Sequence, residues 1–188
     1  MRNPDKSSDR EPPKWTRKIS AVVAQRYSQA GPPPQETVTL RTAAVLVLLT
    51  DGPDGVQVLL TERAKGLGNY SGELSFPGGA RDAADADPTG TALREAHEEV
   101  GLNLASVHVL GLLPTFVDPK AKFLVTPVLA WSARPDFTGP VSAGEVARVY
   151  QVAVRDLSPT SATGPGNKLG KMTAAIIDLV SALLDGQP

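Results

Sequence analysis

The chain contains no cysteine, which excludes disulfides, thiolate metal sites and a cysteine nucleophile. It has no excess of charge either: 19 Lys and Arg stand against 20 Asp and Glu, a formal net charge of −1. That balance offers no basic field to hold nucleic acid. No apolar run approaches the roughly 20 residues that span a bilayer, so no membrane partner is expected. Residues 1–14 mix Lys, Arg, Asp and Glu without an apolar core, and they do not read as a signal peptide. The expectation is a soluble, cytoplasmic protein. What is present, 188 residues with 41% hydrophobic content, is enough for one sizeable core and one domain.

Residues 1–13 are polar and proline-containing and fit a disordered start. Residues 15–29 fit an amphipathic helix through Ile19, Val22, Val23, Arg26 and Tyr27. Gly31 and Pro32-Pro33-Pro34 then break the pattern as a stiff linker. The expected organisation is a flexible N-terminal extension over 1–34, with a helix at 15–29, and a folded domain over 35–188. Within that domain, 43–49 (AAVLVLL) and 56–60 (VQVLL) flank Asp51-Gly52-Pro53-Asp54-Gly55 and read as two strands joined by a turn. Strand-like runs follow at 107–113, 123–131 and 146–154, with a loop around Pro119. A last helix, at 171–184, aligns Met172, Ile176, Leu179, Val180, Leu183 and Leu184 on one stripe. Strands on both sides of a central helical segment imply an α/β fold, a mixed sheet packed between helices.

That central segment carries the chemistry. Asp87 is a good N-cap, Pro88 suits the first helical position and Gly101 is a natural stop. At roughly 100° per residue, Glu95, Glu98 and Glu99 fall on one face, expected to be solvent-side. Ala92, Leu93, Ala96 and Val100 take the opposite side and can pack on a core. Grouped carboxylates of this kind suit hard divalent cations, which enzymes use to cleave phosphoanhydrides. The plain alternative is a solvated acidic face held by Arg94. Ahead of the helix, Phe76-Pro77-Gly78-Gly79 reads as a sharp loop in which two glycines permit close backbone approach. His97 points away from the acids and reads as a packing or surface residue.

Together these residues resemble the Nudix box, the loop–helix–loop of hydrolases acting on nucleoside diphosphates linked to another moiety. Gly79 opens it, and Arg94, Glu95, Ala96, Glu98, Glu99, Gly101 and Leu102 match its fixed positions. Asp85 replaces the usual first Glu, and one extra residue precedes Arg94. Upstream, Leu59, Leu60, Thr61, Arg63, Ala64, Gly72 and Phe76 to Gly79 resemble the motif of coenzyme A diphosphatase-like Nudix proteins. The chain departs from that motif at Gly68, where the subgroup has Arg, and at Tyr70, where His is frequent.

The resemblance spans about residues 43–155 and implies a Nudix-type α/β/α sandwich with a mixed sheet. It implies Mg²⁺ or Mn²⁺ as cofactor, with Glu95 and Glu99 as ligands and Glu98 as a ligand or the base. Arg94 would orient a glutamate, and Gly78 and Gly79 would lend backbone groups to the metal and substrate. Arg63 would meet a phosphate and Tyr70 would give an aromatic contact. Glu145 resembles a carboxylate that follows the box in many relatives and assists the metal or activates water. Phe116, Phe123 and Trp131 are base-stacking or core residues. The expected reaction is hydrolysis of a diphosphate linkage in a small nucleotide conjugate, with coenzyme A or its derivatives favoured. The alternatives are another diphosphate (ADP-ribose, NADH or a dinucleoside polyphosphate) or a binding module that has lost catalysis. Nucleic acid and membrane are not expected partners; a homodimer is left open. The subgroup usually has more chain between its counterparts of Leu157 and Thr173, so the wall over 158–170 is expected to be shortened.

Overall fold

The computed structural model describes residues 11–27, 40–64, 70–142, 144–157 and 168–186. Of the start expected to be disordered over 1–13, residues 1–10 lie outside the described residues, as do the proline linker, Gly68 and most of the 158–170 stretch expected to be shortened.

The sheet grows from one hairpin. Strand β1 (Arg41–Gly52) turns through Pro53 and Asp54 into β2 (Gly55–Arg63), antiparallel, with Gly52 opposite Gly55. Gly55 has φ 107°, a left-handed conformation that the glycine permits at this tight turn. The two strands stay paired only from Leu49–Val58 to the turn, then diverge. Into the fork go two short strands in succession. β3 (Leu74–Ser75) pairs with β2, and β4 (Gly78–Ala80) pairs with β1 at Ala43, Ala44 and Val45. On its other edge β1 runs parallel to β7 (Phe123–Trp131), from Arg41–Phe123 to Leu49–Trp131. β5 (His108–Leu112) and β6 (Phe116–Asp118) pair with β7, and β8 (Val146–Ala153) pairs with the outer edge of β2.

β1 alternates to serve two cores, as a strand buried on both faces must. Ala44, Leu46 and Leu48 join Leu59, Val128 and Ala130 against helix α2 (Pro88–Val100), through Ala92, Ala96 and Val100. Val47 and Leu49 face the other layer, with Leu60, Leu129 and Trp131. There lie Ile19 and Val23 of α1 (Lys14–Tyr27) and Ile176, Ile177, Val180 and Leu183 of α3 (Lys171–Asp185). The result is a mixed sheet between helices on both faces. Trp131 is fully buried, a core residue rather than a stacking platform.

One local expectation is corrected. The Phe76–Gly79 segment is not simply a sharp loop, because Gly78 and Gly79 form a strand. Their missing side chains allow it: a Cβ on Gly78 would stand 2.4 Å from the Ala44 carbonyl oxygen. The loop expected around Pro119 is the turn at 119–122, and residues 116–118 before it add the short strand β6, paired with β7.

Candidate active site

Caps fix how α2 presents its acids. The Asp87 carboxylate accepts the Gly90 N–H at 2.8 Å, and Gly101 closes the helix at φ 65°, its N–H donating to the His97 carbonyl. With Ala92, Ala96 and Val100 on the core, Glu95 and Glu99 fall against β4. Both approaches use the glycine strand. The Gly78 N–H donates to Glu99 Oε2 at 3.2 Å, and a Cβ on Gly79 would sit 2.6 Å from the Glu95 carboxyl. Glu99 is 8% exposed. The acidic face is therefore not wholly solvent-side, since Glu99 lies where that face meets the sheet.

Arg94 organises the rest. Its Nε and Nη2 donate to the two oxygens of Asp85, each at 3.0 Å, a fork-on-carboxylate pair. Nη2 also donates to the Ala80 carbonyl at 3.0 Å and lies 3.0 Å from Glu95 Oε1, while Nη1 donates to Glu98 Oε2 at 2.8 Å. Asp85 is buried, accepts the Asp82 N–H, and is held well below the usual carboxylate range, chiefly by Arg94. The structure thus separates the three glutamates. Glu98, with a side chain 55% exposed, turns out to Arg94, whereas Glu95 and Glu99 meet the strand.

A different acid joins that pair. The segment 138–142 wraps the end of α2: Thr138 N–H donates to the Val100 carbonyl and Val141 N–H to that of Glu99. It brings Glu145 beside β2, where the Ala64 N–H donates to the Glu145 carbonyl at 2.8 Å. The Glu99 pKa is pushed up to about 8, first by burial and further by Glu95 and Glu145, against the opposing Gly78 N–H and Arg63. Glu95 is raised too, by burial first, with Arg94 opposing and Glu98 and Glu145 adding to the shift. Among the described residues no three His, Asp or Glu side chains are grouped so as to hold a metal ion by themselves. The donor set still fits Mg²⁺ or Mn²⁺: every donor is oxygen, the acids repel one another, and Mg²⁺ usually takes one or two carboxylates and keeps its waters.

Arg63 ends β2 at a bulge, exposed, and its guanidinium makes no ion pair among the described residues. It lines a cavity of about 1080 Å³ that reaches Gly78, Gly79 and Ala80 on one wall and Tyr70, Phe116 and Phe123 on others. Tyr70 is less free than an open aromatic contact. Its hydroxyl donates to Asp118 at 2.9 Å, Lys120 Nζ stands 4.8 Å from its ring centre, and its pKa is pushed up to about 12 by burial and Asp118. Phe123 lies under the Arg41 guanidinium. The His97 ring meets the Leu102 carbonyl, a packing role.

A NUDIX domain profile matches residues 40–166. The chain belongs to the NUDIX domain family. This NUDIX domain is 40% identical over 118 residues to an Escherichia coli protein named uncharacterized Nudix hydrolase NudL, covering 63% of this chain and 60% of that one. Against the NudL protein of Cronobacter sakazakii the identity is 40% over 122 residues, 65% of this chain and 62% of the other. The chain thus spans about three fifths of these relatives' length. Among solved structures, the M. smegmatis Nudix hydrolase RenU superposes with TM-score 0.62 at 26% identity, over 79% of this chain and 88% of that one. A C. elegans Ap4A hydrolase shares the fold, with TM-score 0.59 at 20% identity over 77% and 98% of the two chains.

Sequence reasoning did not assign the anchoring role of Asp85. Its signal was the acid at the box's usual first Glu, which the geometry makes the partner of Arg94 in a two-bond pair.

Proposed function

We propose that this NUDIX domain hydrolyses the diphosphate linkage of a nucleotide conjugate with Mg²⁺ or Mn²⁺, coenzyme A and its derivatives being preferred. The observation that carries the reading is Glu99: a carboxyl buried against a glycine strand, crowded by Glu95 and Glu145, and faced by Arg63, which makes no ion pair among the described residues. Bound positive charge relieves such crowding. Glu95, Glu99 and the Gly79 backbone would hold the cation, which neutralises phosphate charge and acidifies a water. Arg63 draws a phosphate towards Gly78 and Gly79. Glu145 takes the proton of the attacking water. Its carboxylate touches the Ser142 hydroxyl alone among the described residues, whereas Glu98 is committed to Arg94. Arg94 and Asp85 position Glu95 by holding the helix to the loop. This division of labour argues against a module that only binds.

The coenzyme A preference rests on Leu59 to Ala64 and Gly72 to Gly79. Gly68 favours the second reading, another nucleoside diphosphate derivative, because it removes a guanidinium that would pair with phosphate. A hydrolysis screen of coenzyme A, its thioesters, NADH, ADP-ribose and a dinucleoside polyphosphate, each with Mg²⁺ and Mn²⁺, tests both. The first reading expects coenzyme A to lead in kcat/KM. Efficient cleavage of another compound with coenzyme A untouched would leave the broader reading alone standing. No cleavage of any would remove both.

A further inference from the structure

We infer that the cavity holds a second anion site, at the start of α3, which takes a phosphomonoester carried by the substrate beyond its scissile diphosphate. The inference rests on the diphosphatase reading above and narrows it to nucleotide conjugates with such a group.

The cavity's charge differs from that of the molecule. Its charged lining residues are Arg63, Lys120, Lys168 and Lys171 against Glu73 and Asp118, while the whole chain carries −1. Asp118 is consumed by the Tyr70 hydroxyl and by the N–H groups of Lys120 and Ala121. Glu73 stands 3.9 Å from Lys168. Lys171 makes no ion pair among the described residues, and the lining retains net positive charge.

α3 opens into this space. Gly170, Lys171, Met172 and Thr173 all line the cavity, and the Gly170 N-cap has no side chain to bond the first turn. The first helical donor is Ala174, to the Gly170 carbonyl, which leaves the N–H groups of Lys171, Met172 and Thr173 without intrahelical partners. Thr173 gives the independent sign of a ligand. It is 4% exposed, it lines the cavity, and its hydroxyl makes no hydrogen bond among the described residues. Thr173 Oγ1 is not among the sealed polar atoms that lack a partner, so the little surface it keeps is open to a ligand, and a phosphate oxygen there would accept from it together with the N–H groups of the first turn. Glu73 is the opposing acid. A Cβ on Gly170 would lie 3.3 Å from both Glu73 Oε2 and Thr173 Oγ1, so Glu73 borders the same spot and weakens its hold on anions.

The site lies within a nucleotide's reach of the glycine strand. Gly170 N–H donates to the Leu74 carbonyl at 3.1 Å, and from Leu74 to Gly78 the chain can cover at most about 14 Å. A ligand with its diphosphate at Gly78 and Arg63 and a ribose phosphate at Thr173 and Lys171 fits that span.

The test compares coenzyme A with 3′-dephospho-coenzyme A, in the parent and in Lys171→Gln, Thr173→Val and Glu73→Gln. The parent should favour the phosphorylated substrate in kcat/KM by about tenfold or more, the scale of one charge-assisted hydrogen bond. Lys171→Gln and Thr173→Val should shrink that ratio through KM for coenzyme A, with kcat held, and Glu73→Gln should enlarge it. Calorimetric binding of adenosine 3′,5′-bisphosphate against AMP, without added metal, reads the same site apart from turnover. Equal cleavage of both substrates, unmoved by the three substitutions, would overturn the anion site and leave the diphosphatase reading intact. No cleavage of either, with bisphosphate still favoured over AMP through Lys171, would sustain the anion site while the coenzyme A reading fails. No cleavage and no binding preference would overturn both.

Discussion

A carboxyl as buried as Glu99, with Glu95 and Glu145 as neighbours, keeps its proton in the folded metal-free protein up to about pH 8. In the unfolded chain it ionises near its ordinary 4.5. Folded protein therefore binds more protons between those values, so Glu99 lowers stability as pH rises from 4.5 towards 8. Metal-free protein should melt at a lower temperature at pH 8 than at pH 6, and Mg²⁺ should recover more of the loss at pH 8. A scanning calorimetry series with and without the ion reads both effects. Glu99→Gln separates stability from chemistry. The variant should keep or raise the metal-free melting temperature at pH 8, yet lose roughly a hundredfold or more in turnover, because the charge stabilisation removed is worth several kcal/mol. Near-parent turnover in saturating Mg²⁺ would sink the assignment. Asp85 has the opposite sign. Its folded pKa is depressed by Arg94, so its contribution is present above the unfolded value near 3.8 and is lost as pH falls below it. Asp85→Asn should then cut activity about 10- to 100-fold, the range for groups that hold a metal's ligands in place, and should flatten the acid limb of the melting profile. At this scale the sequence placed Arg94, Glu95 and Glu99 at the centre. Helical angle alone left Glu98 on the same face, because it does not say which acid an arginine will claim.

Strand β4 shows why two adjacent glycines are not equivalent. A methyl on Gly78 would meet the Ala44 carbonyl at 2.4 Å and the Val45 Cα at 2.6 Å, backbone atoms that cannot move aside. A methyl on Gly79 would meet the end of the Glu95 side chain at 2.6 Å, which can. Gly78→Ala should therefore destabilise the fold by about 1–3 kcal/mol, as overpacking does. Gly79→Ala should leave the melting temperature nearly unchanged while displacing Glu95 and lowering kcat. If thermal melts showed the reverse order, the assignment of β4 as the strand beneath the acids would be wrong. Long, patterned elements were legible from sequence: the β1–β2 hairpin, α2 with its caps, β7 and α3 all have local signals. β3 and β4 did not, since Leu74–Ser75 and Gly78–Ala80 are too short for a period and glycine has no strand propensity. Partners far along the chain make them strands.

For the whole molecule, α1 decides how the N-terminal extension should be regarded. We propose that residues 35–188 hold the catalytic unit and that α1 is a cover over it. Ile19 and Val23 are buried in the same core as Trp131 and α3, and Ser20 donates to the Leu110 carbonyl at 2.7 Å. A chain beginning at Gln35 uncovers that core. It should keep kcat/KM at low temperature but melt about 10 °C lower, given two apolar side chains at about 1.5–3 kcal/mol each. Loss of activity in a truncated chain that is still folded would make α1 part of the site. The amphipathic spacing of 15–29 announced a covered face. It did not say what the face covers, because the sheet lies beyond a linker whose length alone sets no direction. The fork between β1 and β2 has a consequence for motion. β4 is held to the sheet along one edge of β1, at three residues, with Leu46 N–H to the Pro77 carbonyl as the next bond. β1 and β7 share nine paired residues on the other edge. The strand beneath the acids can thus peel away while the central pair stays zipped, so in deuterium the amides of β4 should exchange through a small local opening, and those of Val47 to Leu49 only when the whole molecule comes apart.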